Sequence, residues 1–470
     1  MNWQTLLSAR RQGEYNKEPA RESYDLRSEF EKDYHRIIGS AAFRRLQDKT
    51  QVFPWDKSDF IRTRLTHSLE VSSLGKSLAQ NIGECILQRG LDPDFTPQMK
   101  EDISNILSCA GLIHDIGNPP FGHFGEEAIR DWFLRRLPKM EYKGKKVTDV
   151  LTEQMVQDFY HFEGNAQALR VVSKLHLLVN EHGMNLTYAL LNTTMKYPVS
   201  SLEIDESGKT LNAKKMGFFT SEEEFYHQVA RECGTDGKRH PLTYILEAAD
   251  DIAYRTADIE DAFKKGCINW QILHDELEVY LRDAYPDQEI YPLQVLERQY
   301  QKALDRKDSE PVQYAISNFA VRMQGFLIGC ATNGFAEHYE EIMNGTWNHD
   351  LFYGSKGAAL CDALGKIAYD HAFVSTPILR LEVAAGKILD YFLDAFTGAF
   401  LYYDTDRKLG VMEEKLVGIV SEHYKQLYHY HAKDKSEAEK LYLRLLLVTD
   451  YVSGMTDTYA RDTYRELNGI

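Results

Sequence analysis

The chain has 470 residues, of which 43% are hydrophobic and 27% are charged, and its formal net charge at pH 7 is −16. This length and composition are typical of a globular protein with a large core, and the length alone allows two or three domains. The acidic charge argues against a general surface for nucleic acid or other polyanions. It leaves room for a small anionic substrate, because a bound cation or a basic pocket reverses the field within about 8 Å at physiological salt.

The sequence shows no targeting segment and no disulfide framework. No apolar run approaches the roughly 18 residues of a membrane span, and the stretch MNWQTLLSARRQGEYN lacks the apolar region of a secretory signal. The six cysteines lie far apart and form no C-x-x-C pair, which is typical of reduced thiols. We therefore expect a soluble protein of the cytoplasm.

Helical spacing of apolar residues dominates the chain. Leu74, Leu78 and Ile82, for example, recur every four residues with polar residues between them, which is the period of a helix with one buried face. The predicted helices are Thr66–Arg89, Met99–His114, Pro241–Lys265 and a series of amphipathic helices from about Tyr291 onward. The third of these begins with a proline and is followed by a glycine, the usual asymmetry of helix ends.

Two segments depart from this pattern. Pro198–Thr220 contains two short stretches of strand-like sequence around the turn Glu206-Ser207-Gly208, so we predict a β-hairpin flap there. Arg135–Lys146 is basic and has no periodicity, which indicates an exposed loop. The predicted fold class is therefore all-α, with one small β-hairpin element.

The dipeptide His-Asp occurs at His114, His274 and His349, and only the first has a context that favours chemistry. His114 ends a predicted helix on the face that carries Ile103 and Leu107, so its side chain is expected to point into the protein. The residues that follow form a Gly/Pro-rich turn that cannot continue the helix.

Two further polar side chains are expected to point inward. His67 lies seven residues before Leu74, at the inner start of its helix. Asp250 lies four residues after Leu246 on an apolar face, and Asp251 is rotated from it by about 100°. A buried carboxylate without a partner costs several kcal/mol, and a divalent cation would compensate it.

Together these side chains would offer a metal ion a mixed set of nitrogen and oxygen ligands, from His67, His114, Asp115 and Asp250. Each of these residues alone is more often an ordinary polar residue of a core, whereas four together indicate a site. The set suits Mn, Fe, Co or Ni with open positions for water and a substrate oxygen. Magnesium prefers a shell of oxygens, and zinc prefers a lower coordination number.

The sequence resembles the HD-domain superfamily of metal phosphohydrolases and, within it, the deoxyguanosine triphosphate triphosphohydrolase (dGTPase) family. The matching segments run in family order over nearly the whole chain and are 36–52, 62–67, 114–126 (HDIGNPPFGHFGE), 161–165, 249–254 and 450–457. The third segment is highly specific, whereas the Thr-His and Asp-Asp pairs are weak signals alone. The resemblance implies a helical HD core over residues 1–290, with an N-terminal extension and the hairpin flap, and a helical region packed on it over residues 291–470.

The metal-ligand roles implied by the resemblance fall on His67, His114, Asp115 and Asp250. The expected cofactor is Mn or Mg, with Co, Ni, Fe and Zn as alternatives. The resemblance also makes His123 and Glu126 an acid/base pair, and the spacing is sensible because positions i and i+3 share a face if a helix begins near Gly122.

The reaction implied by the resemblance is hydrolysis at the α-phosphorus of a deoxynucleoside triphosphate, dGTP before the others, to a deoxynucleoside and tripolyphosphate. The residues expected to bind the substrate are Gln51, Val52, Asn165, Lys196, Tyr197, Lys215, Tyr254, Asp258 and Arg444. Relatives of this kind usually form homo-oligomers, often hexamers, and some are tuned by single-stranded DNA or a nucleotide effector.

Two other functions stay open at this point. An HD-type phosphodiesterase acting on a cyclic nucleotide, guanosine tetraphosphate or another nucleotide would share the core, and His123 and His161 are the candidates for the extra ligands of such a two-metal enzyme. A non-enzymatic metal- or nucleic-acid-binding regulator would keep the fold without turnover. The intact ligand set and the acidic charge weigh against the regulator.

Overall fold

The structure, a computed structural model, describes residues 1–13, 25–55, 60–176, 182–286 and 288–470. In chain order its α-helices are α1 (Trp3–Leu6), α2 (Glu29–Ile38), α3 (Ala41–Arg45), α4 (Arg64–Arg89), α5 (Pro97–Ile113), α6 (Gly122–Arg136), α7 (Val147–Val150), α8 (Glu153–Tyr160), α9 (Gly164–Ser173), α10 (Tyr188–Thr194), α11 (Glu223–Cys233), α12 (Pro241–Lys264), α13 (Trp270–Leu281), α14 (Tyr291–Asp305), α15 (Pro311–Glu337), α16 (Tyr339–Asn344), α17 (Lys356–Ala368), α18 (Thr376–Phe400), α19 (Val411–Ile419), α20 (Glu422–Ala432), α21 (Glu437–Ser453) and α22 (Asp457–Asn468).

Shorter elements join several of these helices. The 3₁₀ segments are Leu46–Asp48, Leu137–Lys139, Leu211–Ala213, Thr220–Glu222 and Arg282–Ala284, and a π-helical turn, Tyr369–Phe373, extends α17. The strands of the described residues are β1 (Glu141–Tyr142) and β2 (Lys145–Lys146), which pair antiparallel. The all-α class predicted from the sequence is confirmed, as are the three long helices α4, α5 and α12.

The small sheet lies in a different place from the one predicted. Arg135–Lys146, predicted as a loop, contains the end of α6 and both strands. Lys143 and Gly144 both have positive φ, at 50° and 78°, which is the backbone required at the two central residues of a tight hairpin turn. The sequence prediction missed this turn because Lys143 and Gly144 lie within a basic stretch without periodicity.

The predicted hairpin over Pro198–Thr220 is wrong. The turn before Gly208 does form, since the Gly208 N–H donates to the Asp205 carbonyl, but the flanking residues form turns and a 3₁₀ segment. The Asp205 side chain accepts from the backbone N–H groups of Ser207, at 3.0 Å, and Thr210, at 2.9 Å. Such side-chain bonds compete with a strand ladder for the backbone donors.

The helices that matter for the site have well-defined starts. Thr63 caps α4 through a capping box with Thr66, and Thr96 caps α5, which has a proline in its first turn. His240 caps α12, which also begins with a proline. Side-chain acceptors at these positions satisfy backbone donors that have no partner inside the helix, so the sequence determines where each helix begins.

Helices α4 and α5 pack in backbone contact. A Cβ atom built on Gly111 would lie 2.5 Å from the Ser72 nitrogen and 2.8 Å from the Val71 carbonyl carbon. One built on Gly75 would lie 3.1 Å from the Leu107 carbonyl oxygen. The missing side chains therefore allow the two helix axes to approach more closely than larger residues would permit.

Buried apolar residues form two clusters. One contains residues of α4, α5, α10, α12, α15 and α17, and the other contains residues of α6, α8, α18, α20 and α21. The two clusters adjoin at the turn between α5 and α6, because α5 contributes to the first cluster and α6 to the second. The domain boundary predicted after residue 290 stays a prediction. No helix in the described ranges is both long and apolar enough to cross a membrane.

We predict that Gly111→Ala lowers the free energy of unfolding by about 1–3 kcal/mol, because the added methyl group meets backbone rather than a movable side chain. The matched control is Gly329→Ala in α15, where a Cβ atom would meet nothing within 4 Å. That control should be neutral or raise stability by about 0.5–1 kcal/mol, the usual gain of alanine over glycine in a helix. Urea unfolding of both variants tests this, and equal effects would contradict the close packing at Gly111.

Candidate metal centre

Four polar side chains from three helices and one turn meet below a cavity. His67 lies in the first turn of α4, His114 caps the end of α5, Asp115 follows it, and Asp250 lies in α12. Ligand atoms of His67, His114 and Asp115 all lie within 4.8 Å of one another. The Asp250 Oδ1 atom lies 3.1 Å from the His67 Nε2 atom and 3.5 Å from the His114 Nε2 atom.

The imidazole of His114 is oriented for a ligand. Its Nδ1 lies 2.8 Å from the Gly111 carbonyl oxygen, which can only accept, so Nδ1 carries the proton and the Nε2 lone pair faces the cluster. That Nε2 atom is buried and has no hydrogen-bond partner. A buried acceptor without a partner is costly, and a cation bound between the two imidazoles and the two carboxylates would satisfy it. The donor set therefore fits a divalent metal ion.

Asp115 is held from two sides. The Arg64 guanidinium pairs with its Oδ2 atom, and the Asn118 amide donates to its Oδ1 atom at 2.7 Å. Arg64 and Asn118 belong to the segments that carry the resemblance, but no role was predicted for either residue. Their contacts fix the plane of the carboxylate, as outer contacts of metal ligands usually do.

The charges of the cluster favour ligation. Burial alone would raise the pKa of Asp115, but the Arg64 guanidinium and the neighbouring imidazoles together outweigh it and hold that pKa well below its usual range. Burial likewise opposes ionisation of Asp250, yet the two imidazoles lower its pKa to about 2. Burial lowers the pKa of His67, but its hydrogen bond to Asp250 and the charges of Asp250 and Asp115 together raise that pKa above its ordinary value. Both carboxylates are therefore anions at neutral pH and are ready to bind a cation.

His123 and Glu126 lie beside this cluster. Helix α6 begins at Gly122, so the two residues share a face, and the His123 Nδ1 atom lies 3.6 Å from the Glu126 Oε2 atom. The His123 side chain is 80% exposed and that of Glu126 only 2%. The nearby Glu126 carboxylate raises the pKa of His123. Burial would raise the pKa of Glu126, but the cationic side chains of His123, Lys215 and Arg130 together outweigh it and lower that pKa.

A cavity of about 540 Å³ lies over the cluster. The predicted site residues that line it are Gln51, Val52, His114, Asp115, His123, Glu126, Asn165, Lys196, Tyr197, Lys215, Asp250, Tyr254 and Asp258. His67 is buried directly beneath, in contact with Asp250. Lining residues for which no binding role was predicted are Arg64, Asn118, Glu163, Asp251, Arg255, Gly365, Tyr369 and Phe373. Most of these belong to helices already identified, but their direction depends on packing.

Arg444 is the one predicted site residue that the structure places elsewhere. Its guanidinium is buried and donates to the Tyr142 hydroxyl at 3.0 Å and to the Tyr403 carbonyl at 2.9 Å. Arg444 precedes Asp450 by six residues on α21, so the two side chains leave the helix about 120° apart. The geometry of this chain gives no support to a substrate contact by Arg444.

The lysines of the cavity are already paired with carboxylates. The Lys196 Nζ atom lies 3.1 Å from Glu247, and the Lys215 Nζ atom lies 2.7 Å from Glu163. Burial would lower the pKa of both lysines, but these carboxylates raise it. The lysines therefore keep their charge at neutral pH.

Two carboxyl groups of the cavity have a pKa close to neutral pH, so each can be protonated or ionised there. Burial raises the pKa of Asp251 to about 7, and the neighbouring Asp250 adds to the effect. Burial also raises the pKa of Asp258 to about 7. A protonated carboxyl can donate as well as accept a hydrogen bond, so both can contact a polar ligand without a full negative charge.

Comparison with known proteins places these features in a family. The family model of the HD domain matches residues 64–200, which include His67, His114 and Asp115, and that of the phosphohydrolase-associated domain matches residues 407–466. The chain is 44% identical to a deoxyguanosinetriphosphate triphosphohydrolase-like protein of Listeria monocytogenes over 100% of both chains. It is 33% identical to one of Synechocystis, also over 100% of both chains. With the deoxyguanosinetriphosphate triphosphohydrolase of Yersinia enterocolitica it shares 34% identity over 95% of each chain.

We predict that His114→Ala weakens Mn²⁺ binding by at least about a hundredfold, because losing a ligand costs more than losing an outer contact of a ligand. The matched control is His274→Ala, which changes another His-Asp dipeptide whose imidazole pairs with Glu297. Calorimetric titration of chelator-treated protein with Mn²⁺ measures both. Wild-type affinity in His114→Ala would rule out this cluster as the binding site.

Proposed function

We propose that this chain, which belongs to the deoxyguanosinetriphosphate triphosphohydrolase-like family, hydrolyses a deoxynucleoside triphosphate, dGTP before the others, to a deoxynucleoside and tripolyphosphate. The observation that carries the proposal is one cavity that lies over the cluster of His67, His114, Asp115 and Asp250 and is also lined by His123, Glu126 and several cations. Phosphoryl transfer needs these parts, since positioning and charge neutralisation supply most of its catalysis.

The cofactor we propose is a divalent ion, Mn²⁺ or Mg²⁺, held by the residues with matching donor atoms: His67, His114, Asp115 and Asp250. When bound, such an ion polarises a phosphoryl oxygen and lowers the pKa of water. Arg64 keeps Asp115 ionised and oriented, and Gly111 fixes the tautomer of His114 through its carbonyl group. These contacts hold the ligand atoms before substrate arrives.

His123 is the residue we propose for proton transfer. Glu126 holds its Nδ1 side from the buried face of α6, so the Nε2 atom on the far side of the ring is free for the cavity. In the reaction, water adds to the α-phosphorus and the bond to the deoxyribose O5′ atom breaks. The O5′ atom gains one proton and tripolyphosphate leaves. An imidazole whose pKa is raised by a carboxylate can hold or deliver such a proton near neutral pH.

The remaining cavity residues suit the parts of a nucleotide. Asn165, Lys196, Tyr197 and Lys215 supply donors for the polyphosphate. Tyr254 and Asp258 lie one and two turns beyond Asp250 on the same helix face, where we propose that they contact the deoxyribose. Gln51 and Val52 line the cavity, and we assign them to the base. As parts of the same proposal, the protein forms a homo-oligomer in the cytoplasm, hexameric by resemblance, and responds to single-stranded DNA or a nucleotide effector.

The direct test is product analysis with each of the four deoxynucleoside triphosphates and Mn²⁺ or Mg²⁺. We expect equal amounts of deoxynucleoside and tripolyphosphate, fastest with dGTP, and no turnover after chelation or in His114→Ala. His274→Ala should keep the wild-type rate. Release of pyrophosphate or orthophosphate would instead support a phosphodiesterase of other specificity, and metal binding without turnover would support a regulator.

The acid/base role predicts a shift in pH dependence. In Glu126→Gln the pKa of His123 falls, because a neutral amide no longer stabilises the protonated ring. The limb of the kcat/KM profile that reports His123 should therefore move to lower pH, while the other limb stays. In His123→Ala, kcat should fall about 100-fold or more with Mn²⁺ affinity retained.

Glu127→Gln is the matched control for Glu126→Gln. It removes the same charge from an exposed position on the same helix, so its profile should match the wild type. A Glu126→Gln profile that is unchanged or displaced to higher pH would remove the pair from the mechanism.

A further inference from the structure

One cation of the cavity lacks a partner. Arg255 follows Tyr254 on α12 and lines the cavity, and its Nε atom is buried without a hydrogen-bond partner. Within the part of the chain that the structure describes, its guanidinium forms no ion pair, whereas Arg64, Lys196 and Lys215 each have a carboxylate. Arg255 is half-buried, and a buried donor without a partner, such as its Nε atom, is unfavourable, so this position suits an anion or another acceptor.

Contacts with Tyr254 and Gly365 define the position of the guanidinium, which we call its seat. Its carbon lies 4.5 Å from the centre of the Tyr254 ring, in a cation–π contact. On its other side is Gly365 of α17, where a Cβ atom would lie 1.7 Å from the Arg255 Nη1 atom. Any side chain at position 365 would occupy the space that the guanidinium now fills. Tyr254 and Gly365 therefore hold the group in place without using its hydrogen-bond donors.

The position of Arg255 on α12 indicates which part of a ligand it meets. Arg255 lies four residues after Asp251, so these two share a helix face that differs from the face of Asp250 and Tyr254. Glu247, four residues before Asp251, lies on the same face of α12, and its carboxylate lies 3.1 Å from the Lys196 Nζ atom. Arg255 thus lies in the row of α12 that holds Lys196, a proposed polyphosphate contact, while its guanidinium also packs against the Tyr254 ring.

We propose that Arg255, seated between Tyr254 and Gly365, binds the terminal phosphate of the triphosphate and of the tripolyphosphate product. This inference rests on the proposed function. It gives the terminal phosphate a cation that has no carboxylate partner, whereas Lys196 and Lys215 are both paired with carboxylates. A planar guanidinium can donate two parallel hydrogen bonds to a phosphate. Substrates with a shorter phosphate chain would not reach it.

Inhibition by product fragments separates this role from others. In Arg255→Ala we expect the inhibition constant of inorganic tripolyphosphate to rise about tenfold or more, the effect of a lost charge-assisted hydrogen bond. The inhibition constant of the deoxynucleoside should stay within about twofold of wild type. Arg255→Lys should recover part of the loss, since it keeps the charge but not the fork. Arg322→Ala, on the exposed side of α15, is the matched control and should change neither constant.

Gly365→Ala tests the seat from another helix. The methyl group would displace the movable end of Arg255 rather than backbone, so the variant should fold and also lose tripolyphosphate affinity. Because both substitutions remove one interaction, the double variant Arg255→Ala/Gly365→Ala should be no weaker than Arg255→Ala alone. Additive losses would contradict the seat.

Two results would overturn the inference. An Arg255→Ala variant with an unchanged tripolyphosphate constant and a raised deoxynucleoside constant would assign Arg255 to the nucleoside. Wild-type constants for both fragments in that variant would remove Arg255 from the substrate site. Both outcomes leave the proposed function standing, since wild-type turnover to tripolyphosphate is measured separately. A wild-type protein that neither binds tripolyphosphate nor releases it would refute the function itself.

Discussion

The contact of α4 with α5 at Gly111 is the constraint on which the candidate centre depends. Because Gly111 has no side chain, its backbone lies against Ser72. The centres of the His67 and His114 rings are 5.2 Å apart. The carbonyl oxygen of the same residue accepts a hydrogen bond from the Nδ1–H group of His114. One small residue thus sets both the separation of the imidazoles and the nitrogen that His114 offers. Asp250 then reaches both rings from α12.

The turn after α5 is held by the other end of the chain. The Asp457 carboxylate accepts from the backbone N–H groups of Phe121 and Thr50, both at 2.9 Å. Phe121 has a φ of 65°, a strained backbone that persists only where its surroundings fix it. The buried Lys49 ammonium donates to the carbonyl groups of Asn118 and Ser453. The last two helices are therefore part of the support of Asp115, because Asn118 orients that carboxylate.

The sequence alone predicts the long helices and the proposed ligand set from local patterns. Periodicity and caps define α4, α5 and α12, and a polar residue on a buried face, such as Asp250, is visible in one helix. What it missed depends on contacts between helices or on side-chain bonds. Arg255 is recognisable only once Gly365 of α17 is seen against it, and the predicted hairpin failed because Asp205 binds nearby backbone donors. Arg444 was assigned by its nearness to a motif, which says nothing of its direction around α21.

The central claim is that the side chains of α4, α12 and the end of α5 bind one divalent ion. Anomalous diffraction from a crystal grown with Mn²⁺, recorded at the manganese absorption edge, tests it most directly. The account predicts one strong peak per chain in contact with His67 Nε2, His114 Nε2 and carboxylate oxygens of Asp115 and Asp250. A crystal with no peak there, or with its peak at other residues, would contradict the account.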